Sequence, residues 1–364
     1  MLQTPALEAG VFVCPVAALQ APPNVGMAPT TLSRNPERMA SEQTAVVSGL
    51  YRYPVKGLSP QPLAHVALQA SQPFPADRVY ALARPGAPVD AADPKWAKKG
   101  MFIMLMLDEA LATVTTDLDV ATRRMTVTKD GQPIAKSDFD NTGDRDAFEK
   151  VIWGLLPALP APPTLLASRG GHFMDKPDNV ISLINLATVR SLEQQWGCKI
   201  DPLRFRANIY IDGVAPWQEF DWIGSNISLG AMSFRVDRRN GRCGATNVDP
   251  KTGARDMNIP QALRRDFGHK DLGVYLVAHT SGSLTVGDAV TTHGAQTAES
   301  ISGAATAVMP HSFMCRGCFY IYDESKGVPQ HSISPGTAFS AIPGDWRCPD
   351  CGTDKTSFRP YTGE

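Results

Sequence analysis

The sequence predicts a mainly β protein with α+β elements: two β units in tandem, then a small metal-binding unit. Three observations predict it. Short segments of alternating or β-branched residues recur through residues 44–293, broken by Gly, Pro and Asp. Two stretches carry a helical apolar spacing between them. The C-terminal part holds two Cys-x-x-Cys pairs, Cys315 with Cys318 and Cys348 with Cys351. A chain of 364 residues suits two or three domains, and its 43% hydrophobic content is ordinary for a protein with a real core. The formal net charge of -1 gives no reason to expect a nucleic acid or an anionic membrane as partner. No apolar run approaches the ~20 residues that a membrane helix needs.

Residues 1–43 are rich in Ala, Pro, Thr and Ser, lack a sustained period, and read as a disordered extension. A secretory signal fits poorly, since the basic front end is missing and Pro15, Pro22 and Pro23 interrupt the apolar stretch. Met39 lies just before the first strand and offers an alternative start. Residues 44–160 form the first unit. Strands are expected at Val46–Tyr53, Val66–Gln69, Arg78–Ala83, Ala112–Thr116 and Met125–Thr128, with Met101–Leu107 as a short buried strand. Asp144–Leu156 has helical spacing, and Pro157–Pro163 is a stiff connector.

The second unit covers residues 161–293. Asn185 is placed to cap a helix over Leu186–Trp196, and Gly197 to stop it. Phe205–Asp212 alternates as a strand, which sets Arg204 and Arg206 on one side of an extended chain. Ile227–Val236 reads as one strand, and Val274–His279 and Ser283–Thr291 as closing strands. Residues 294–311, mostly Ala, Ser, Thr and Gly, read as a flexible linker to the metal-binding unit at 312–364.

The chemistry centres on Asp237–Pro250. Cys243 stands among basic residues, followed by turn formers. Nearby arginines favour the thiolate, which is the metal ligand and the nucleophile. Two guanidiniums at Arg204 and Arg206 suit a phosphate, with pairing to carboxylates as the competing reading. Lys56 and Arg78 flank strands and are candidate anion-binding residues. Glu219 and Asp221 are read either as the pairing carboxylates or as a proton source. Four cysteine sulfurs in two knuckles suit zinc or iron in a reducing compartment, taken as the cytoplasm, and spacing alone leaves the metal open.

Beyond this, Gly241-Arg242-Cys243-x-x-Thr246-Asn247-Val248-Asp249-Pro250 resembles the cysteine motif of MOSC domains. Arg204-Phe205-Arg206-Ala207-Asn208 resembles the Arg-Phe-Arg-x-Asn element of that family, and Gly287-Asp288-Ala289-Val290 its last strand. Tyr53-Pro54-Val55-Lys56-Gly57 is similar to the start of the β-barrel domain that precedes MOSC in amidoxime-reducing proteins. The resemblance spans roughly residues 44–292. It implies two β-barrel domains and a molybdenum-pterin cofactor. Cys243 would be the protein ligand to molybdenum, and Lys56, Arg78, Arg204, Arg206, Asn208 and Thr246 would surround the cofactor. Independently of the resemblance, Asp221 is the carboxylate read as the catalytic proton source. A link to pyridoxal phosphate also exists at the level of the family.

Around the four C-terminal cysteines, Tyr320-Ile321-Tyr322-Asp323, Pro335-Gly336-Thr337, Asp345-Trp346 and Lys355 resemble rubredoxin. That implies one iron held by Cys315, Cys318, Cys348 and Cys351, passing single electrons. Phe319 departs from the usual Gly after the first knuckle. The combined resemblance implies a reductase of N-hydroxylated or related N–O and S–O compounds. It would act on a small-molecule substrate and draw electrons from a reductase that feeds the rubredoxin. Two alternatives stand beside it: a sulfur carrier holding a persulfide on Cys243, and an interaction protein with a zinc ribbon. No glycine fingerprint for a nucleotide appears.

Overall fold

The computed structural model describes residues 45–292, 312–315, 320–349 and 352–361. The N-terminal extension, the linker, Phe319, Cys318 and Cys351 lie outside the described residues. The first unit contributes β1 (Val46–Arg52), β2 (Gln61–Leu63), β3 (His65–Leu68), β4 (Tyr80–Ala83), β5 (Val114–Asp119), β6 (Arg124–Lys129), β7 (Gln132–Asp138) and helix α1 (Thr142–Gly154). Next come β8 (Thr164–Ala167), β9 (Ile181–Asn185), α2 (Leu186–Trp196), β10 (Ile209–Asp212), β11 (Asn226–Leu229) and β12 (Met232–Gly241). They are followed by α3 (Ile259–Phe267), β13 (Asp271–Ala278), β14 (Gly282–Thr285) and β15 (Val290–Thr292). The C-terminal unit holds β16 (Ser312–Cys315), β17 (Ile321–Asp323) and β18 (Phe358–Tyr361).

An eight-stranded sheet in the order β15-β11-β12-β13-β9-β10-β1-β2 forms the centre of the molecule. It curls until its ends meet. Val47 donates its N–H to Asp288 O at 2.8 Å, and Gly287 and Val290 return bonds to Val47 O and Ala45 O. β1 therefore borders both β10 and the approach to β15, which removes an open edge. Inside, Val47 packs with Leu183, Ile209, Ile211, Phe234, Val236, Val274 and Leu276, the alternating inward residues of these strands.

A second layer forms beside the barrel. β4 pairs with β8, β5-β6-β7 make a meander, and α1 packs on it through Phe148 and Ile152 against Leu118, Met125 and Val127. The chain thus passes between units more than once. β1 belongs to the central sheet although it precedes the first unit's own strands, and β8 returns to β4 from beyond the proline connector. Both expected helices form. Asn185 caps α2 by accepting from Ala187 N at 3.0 Å, and Gly197 ends it at φ 67°, as its sequence predicts. α1 begins two residues earlier than its apolar spacing suggests, because Asn141 accepts from Asp144 N at 3.1 Å and caps it.

Four expectations need correction. Ile227–Val236 is a hairpin, turned at Gly230 with φ 57°, because Gly there allows the left-handed backbone. Ser283–Thr291 is likewise split into β14 and β15, with Gly287 at φ 101° between them. Met101–Leu107 is buried through Phe102–Met106 but follows turns and forms no strand. Arg204 and Arg206 do not share a face of a strand. Arg204 lies in a 3-10 turn, Pro202–Phe205, and Arg206 follows it in a left-handed conformation. The alternation in this stretch belongs to the turn, and only Ile209–Asp212 pairs as a strand.

Candidate active site

β12 delivers Cys243. It ends at Gly241, and Cys243 opens a 3-10 turn over Gly244–Asn247. The turn is held from every side. Thr246 donates from Oγ1 to Cys243 O at 2.9 Å, and Asn247 Oδ1 accepts from Ile259 N at the start of α3. Arg242 is buried and donates to Phe205 O at 2.9 Å and from Nε to Leu272 O at 2.8 Å. Its charge therefore braces carbonyls, and burial lowers its pKa. Arg238 pairs with Asp178 and Asp237, and Arg239 lies over the Phe220 ring. The Cys243 sulfur takes part in no hydrogen bond among the described residues.

Cys243 faces a cavity of about 570 Å³, within the range of small-molecule and cofactor sites. Its wall is strongly basic, with Asp175 as the one carboxylate among the described lining residues. Lys56 Nζ bonds Asp175 Oδ1 at 2.5 Å and Phe173 O at 2.8 Å. Asp175 keeps access to solvent, and whatever desolvation the cavity wall imposes, Lys56, Lys99 and Arg78 hold its carboxyl well below the usual carboxylate range. Arg206 and Arg78 both lie over the Tyr53 ring, at 4.3 and 4.2 Å from its centroid. Arg78 is tied to Asp77 and to Arg206 O. The Arg206 guanidinium donates no hydrogen bond among the described residues, and burial and then Arg78 lower its pKa to about 10. Two like charges at a buried wall, one of them with unused donors, favour an anion.

The C-terminal unit has its own core, in which Phe313 stacks on Phe339 at 4.2 Å beside Tyr322, Ile342 and Trp346. Cys315 ends β16, and its N–H bonds Tyr320 O at 2.8 Å. Cys348 N bonds Thr353 O, and Gly352 N bonds Cys348 O, each at 2.8 Å. Cys315 and Cys348 are buried in one cluster with Met104 and Met106.

The rubredoxin family profile matches residues 312–358, and the MOSC domain profile matches residues 170–291. The Acinetobacter baylyi rubredoxin is 52% identical over 46 residues, covering 13% of this chain and 85% of that protein. The chain belongs to the rubredoxin family and carries a MOSC domain. A high molecular weight rubredoxin of Moorella thermoacetica is 45% identical over 53 residues, 15% of this chain, and the match spans only 23% of that protein. Among solved structures, YiiM from Geobacillus stearothermophilus aligns over 31% of this chain and 54% of its own at 16% identity and TM-score 0.26. The YUAD protein from Bacillus subtilis aligns over 70% and 97% at 13% identity and TM-score 0.34. The protein is a redox and metal-binding fusion, with a single-iron rubredoxin that implies an electron-transfer partner. No helix among the described residues is long and apolar enough to cross a membrane.

Against this MOSC and rubredoxin frame, Lys56, Arg78, Arg206, Cys243 and Thr246 all line one cavity. Arg204 also reaches its wall, but its Nη2 donates to Asp249 at 2.9 Å and to Asp256 at 2.7 Å, which braces the cysteine loop. Asn208 is similarly committed. Its Oδ1 accepts from Ser182, and its Nδ2 donates to Tyr51 O, locking β1, β9 and β10 together. Asp221 is exposed and lies outside the cavity wall, so the expected proton source is not brought to the site. Glu219 is buried against α2, accepting from Asn185 and Thr188. Asp175, Lys98, Lys99, Lys270 and Tyr275 also line the cavity, although the sequence did not single them out. The adjacent lysines at 98 and 99 were the one local signal. The others come from distant segments and had none.

Proposed function

We propose that the cavity holds a molybdenum-pterin cofactor and that the protein reduces N-hydroxylated or related N–O and S–O compounds with electrons from its rubredoxin. The observation that carries this reading is the Cys243 sulfur, without a hydrogen bond among the described residues, at the wall of a basic cavity and packed beside the cluster that contains Cys315 and Cys348. The residues fit the group. Arg206 offers donors and, with Arg78, positive charge to a phosphate, and a soft thiolate suits molybdenum. The cofactor, when bound, would supply a centre that takes up single electrons and returns them in pairs.

This chain's residues would do the rest. Cys243 binds the metal, and its turn, braced by Arg242 and Thr246, fixes the sulfur in place. Arg206 and Arg78 orient the anionic group, and Asp175 limits the excess charge through Lys56. The basic wall would accept any phosphorylated cofactor, pyridoxal phosphate included, and the open thiol is what favours molybdenum. Persulfide transfer would use the same sulfur but needs no neighbouring electron carrier.

Metal analysis and turnover test the reading. Protein made with iron and molybdate should contain both metals and oxidise a reductant in the presence of an N-hydroxylated substrate. Cys243→Ser should lose this activity while keeping its melting temperature, because oxygen is a poor substitute for the soft ligand. Full activity in Cys243→Ser, or absence of molybdenum from the active protein, overturns the assignment.

A further inference from the structure

The rubredoxin is seated on the rest of the molecule at the mouth of the Cys243 cavity. Cys315 and Cys348 share an apolar cluster with Met104 and Met106, against which Cys243 and Ala245 also pack. Pro349, next to Cys348, forms part of the cavity wall. Contacts continue to either side. A Cβ added at Gly352 would lie 3.5 Å from Gly100 Cα, so the second knuckle runs against the turn before Phe102. From α3, Arg264 Nη1 approaches Met314 Sδ at 3.4 Å and its guanidinium lies 5.7 Å from the Tyr361 ring centroid.

We propose that the loop at 100–106, Ala245 and Arg264 form a docking surface that holds the protein's own rubredoxin with its Cys315 and Cys348 side turned to Cys243. Methionine suits such a surface, since its unbranched thioether adapts to an apolar partner and is polarisable. Arg264 adds an anchor that reads both an aromatic ring and a sulfur on the docked unit. The identity of the electron acceptor rests on the function proposed above, whereas the docking itself does not. Iron held by the rubredoxin cysteines would supply one electron at a time, going from iron(II) to iron(III), and a centre held by Cys243 would receive it. Two transfers with two protons from water convert N–OH into N–H and water. An external reductase returns the iron to iron(II).

The test uses the full chain, as wild type, Arg264→Glu, Arg264→Lys and Tyr361→Ala. Hydrogen exchange over residues 100–106 and 243–246, on protein loaded with iron alone, reports docking without any turnover. Recovery of the oxidised iron's visible absorption, after anaerobic reduction and addition of an N-hydroxylated substrate, reports electron transfer. Arg264→Glu and Tyr361→Ala should speed exchange at both segments and slow recovery about threefold to fivefold, the loss expected for one partly exposed cation–π contact. Arg264→Lys should retain most of both. Unchanged exchange and unchanged recovery in Arg264→Glu and Tyr361→Ala, with both variants folded, overturn the docking surface. Faster exchange in these variants, together with no recovery even in wild type, supports the docking and removes the proposed acceptor instead.

Discussion

At the scale of single residues, the two arginines of the Arg-Phe-Arg element divide their work. Arg204 is 2% exposed and pairs through Nη2 with Asp249 and Asp256, so Arg204→Ala should destabilise the fold. A cost of about 2–3 kcal/mol is expected, below a fully buried pair because both carboxylates keep some access to water. Arg206→Ala should leave the urea midpoint unchanged or raised, since it removes one of two like charges at the Tyr53 ring. It should instead abolish most of the rise in melting temperature that inorganic phosphate gives the wild type. Asp175 supplies a pH dependence. Its folded pKa is depressed, so its pairing with Lys56 stabilises the protein above the ordinary carboxylate pKa and loses that effect as pH falls below it. Asp175→Asn should therefore melt lower than wild type at neutral pH, and the difference should shrink steadily in acid. A difference that grows on acidification would rule out this role.

At the scale of elements, the site depends on β13 lying tightly against β9. Gly273 in β13 has φ 73°, and a Cβ there would lie 2.3 Å from Leu183 O and 3.2 Å from Arg242 Nη2. Gly273→Ala combines a left-handed backbone with overpacking against a carbonyl, for an expected loss of about 2–5 kcal/mol. Because Arg242 bonds Leu272 O, the same change should also disturb the Cys243 turn. Urea denaturation measures the first effect, and the alkylation rate of Cys243 measures the second. A midpoint equal to wild type would show that the strands can part at this position without cost.

At the scale of the whole molecule, the covalent link between the MOSC domain and the rubredoxin governs how often they meet. A covalent tether sets an effective concentration of order millimolar. A full-length protein with a protease site inserted near Gly303 can be cut after it has folded. At micromolar protein, turnover fed through the rubredoxin should then fall steeply and become dependent on concentration. Turnover fed by a small reductant that reaches the cavity directly should be unaffected. Equal rubredoxin-fed rates before and after cutting would show that the tether contributes nothing.

Much of the architecture was legible in the sequence because it rests on local rules. Asn185 and Gly197 mark the ends of α2 through a bond and a backbone angle that span only a few residues. The cysteine knuckles and the turn after Cys243 are likewise local, since each closes over a handful of positions. Where alternation misled, as at Arg204–Arg206 and Ile227–Val236, the same period can be written by a strand or by a turn between strands. Only pairing with a neighbour decides which. The closure of the barrel by β1, the gathering of Lys56, Asp175, Arg206 and Tyr275 around Cys243, and the seating of the rubredoxin on Met104 and Met106 came from the tertiary structure alone. These are contacts between segments far apart in the chain, and residue type and spacing carry no record of which distant surfaces will bury one another.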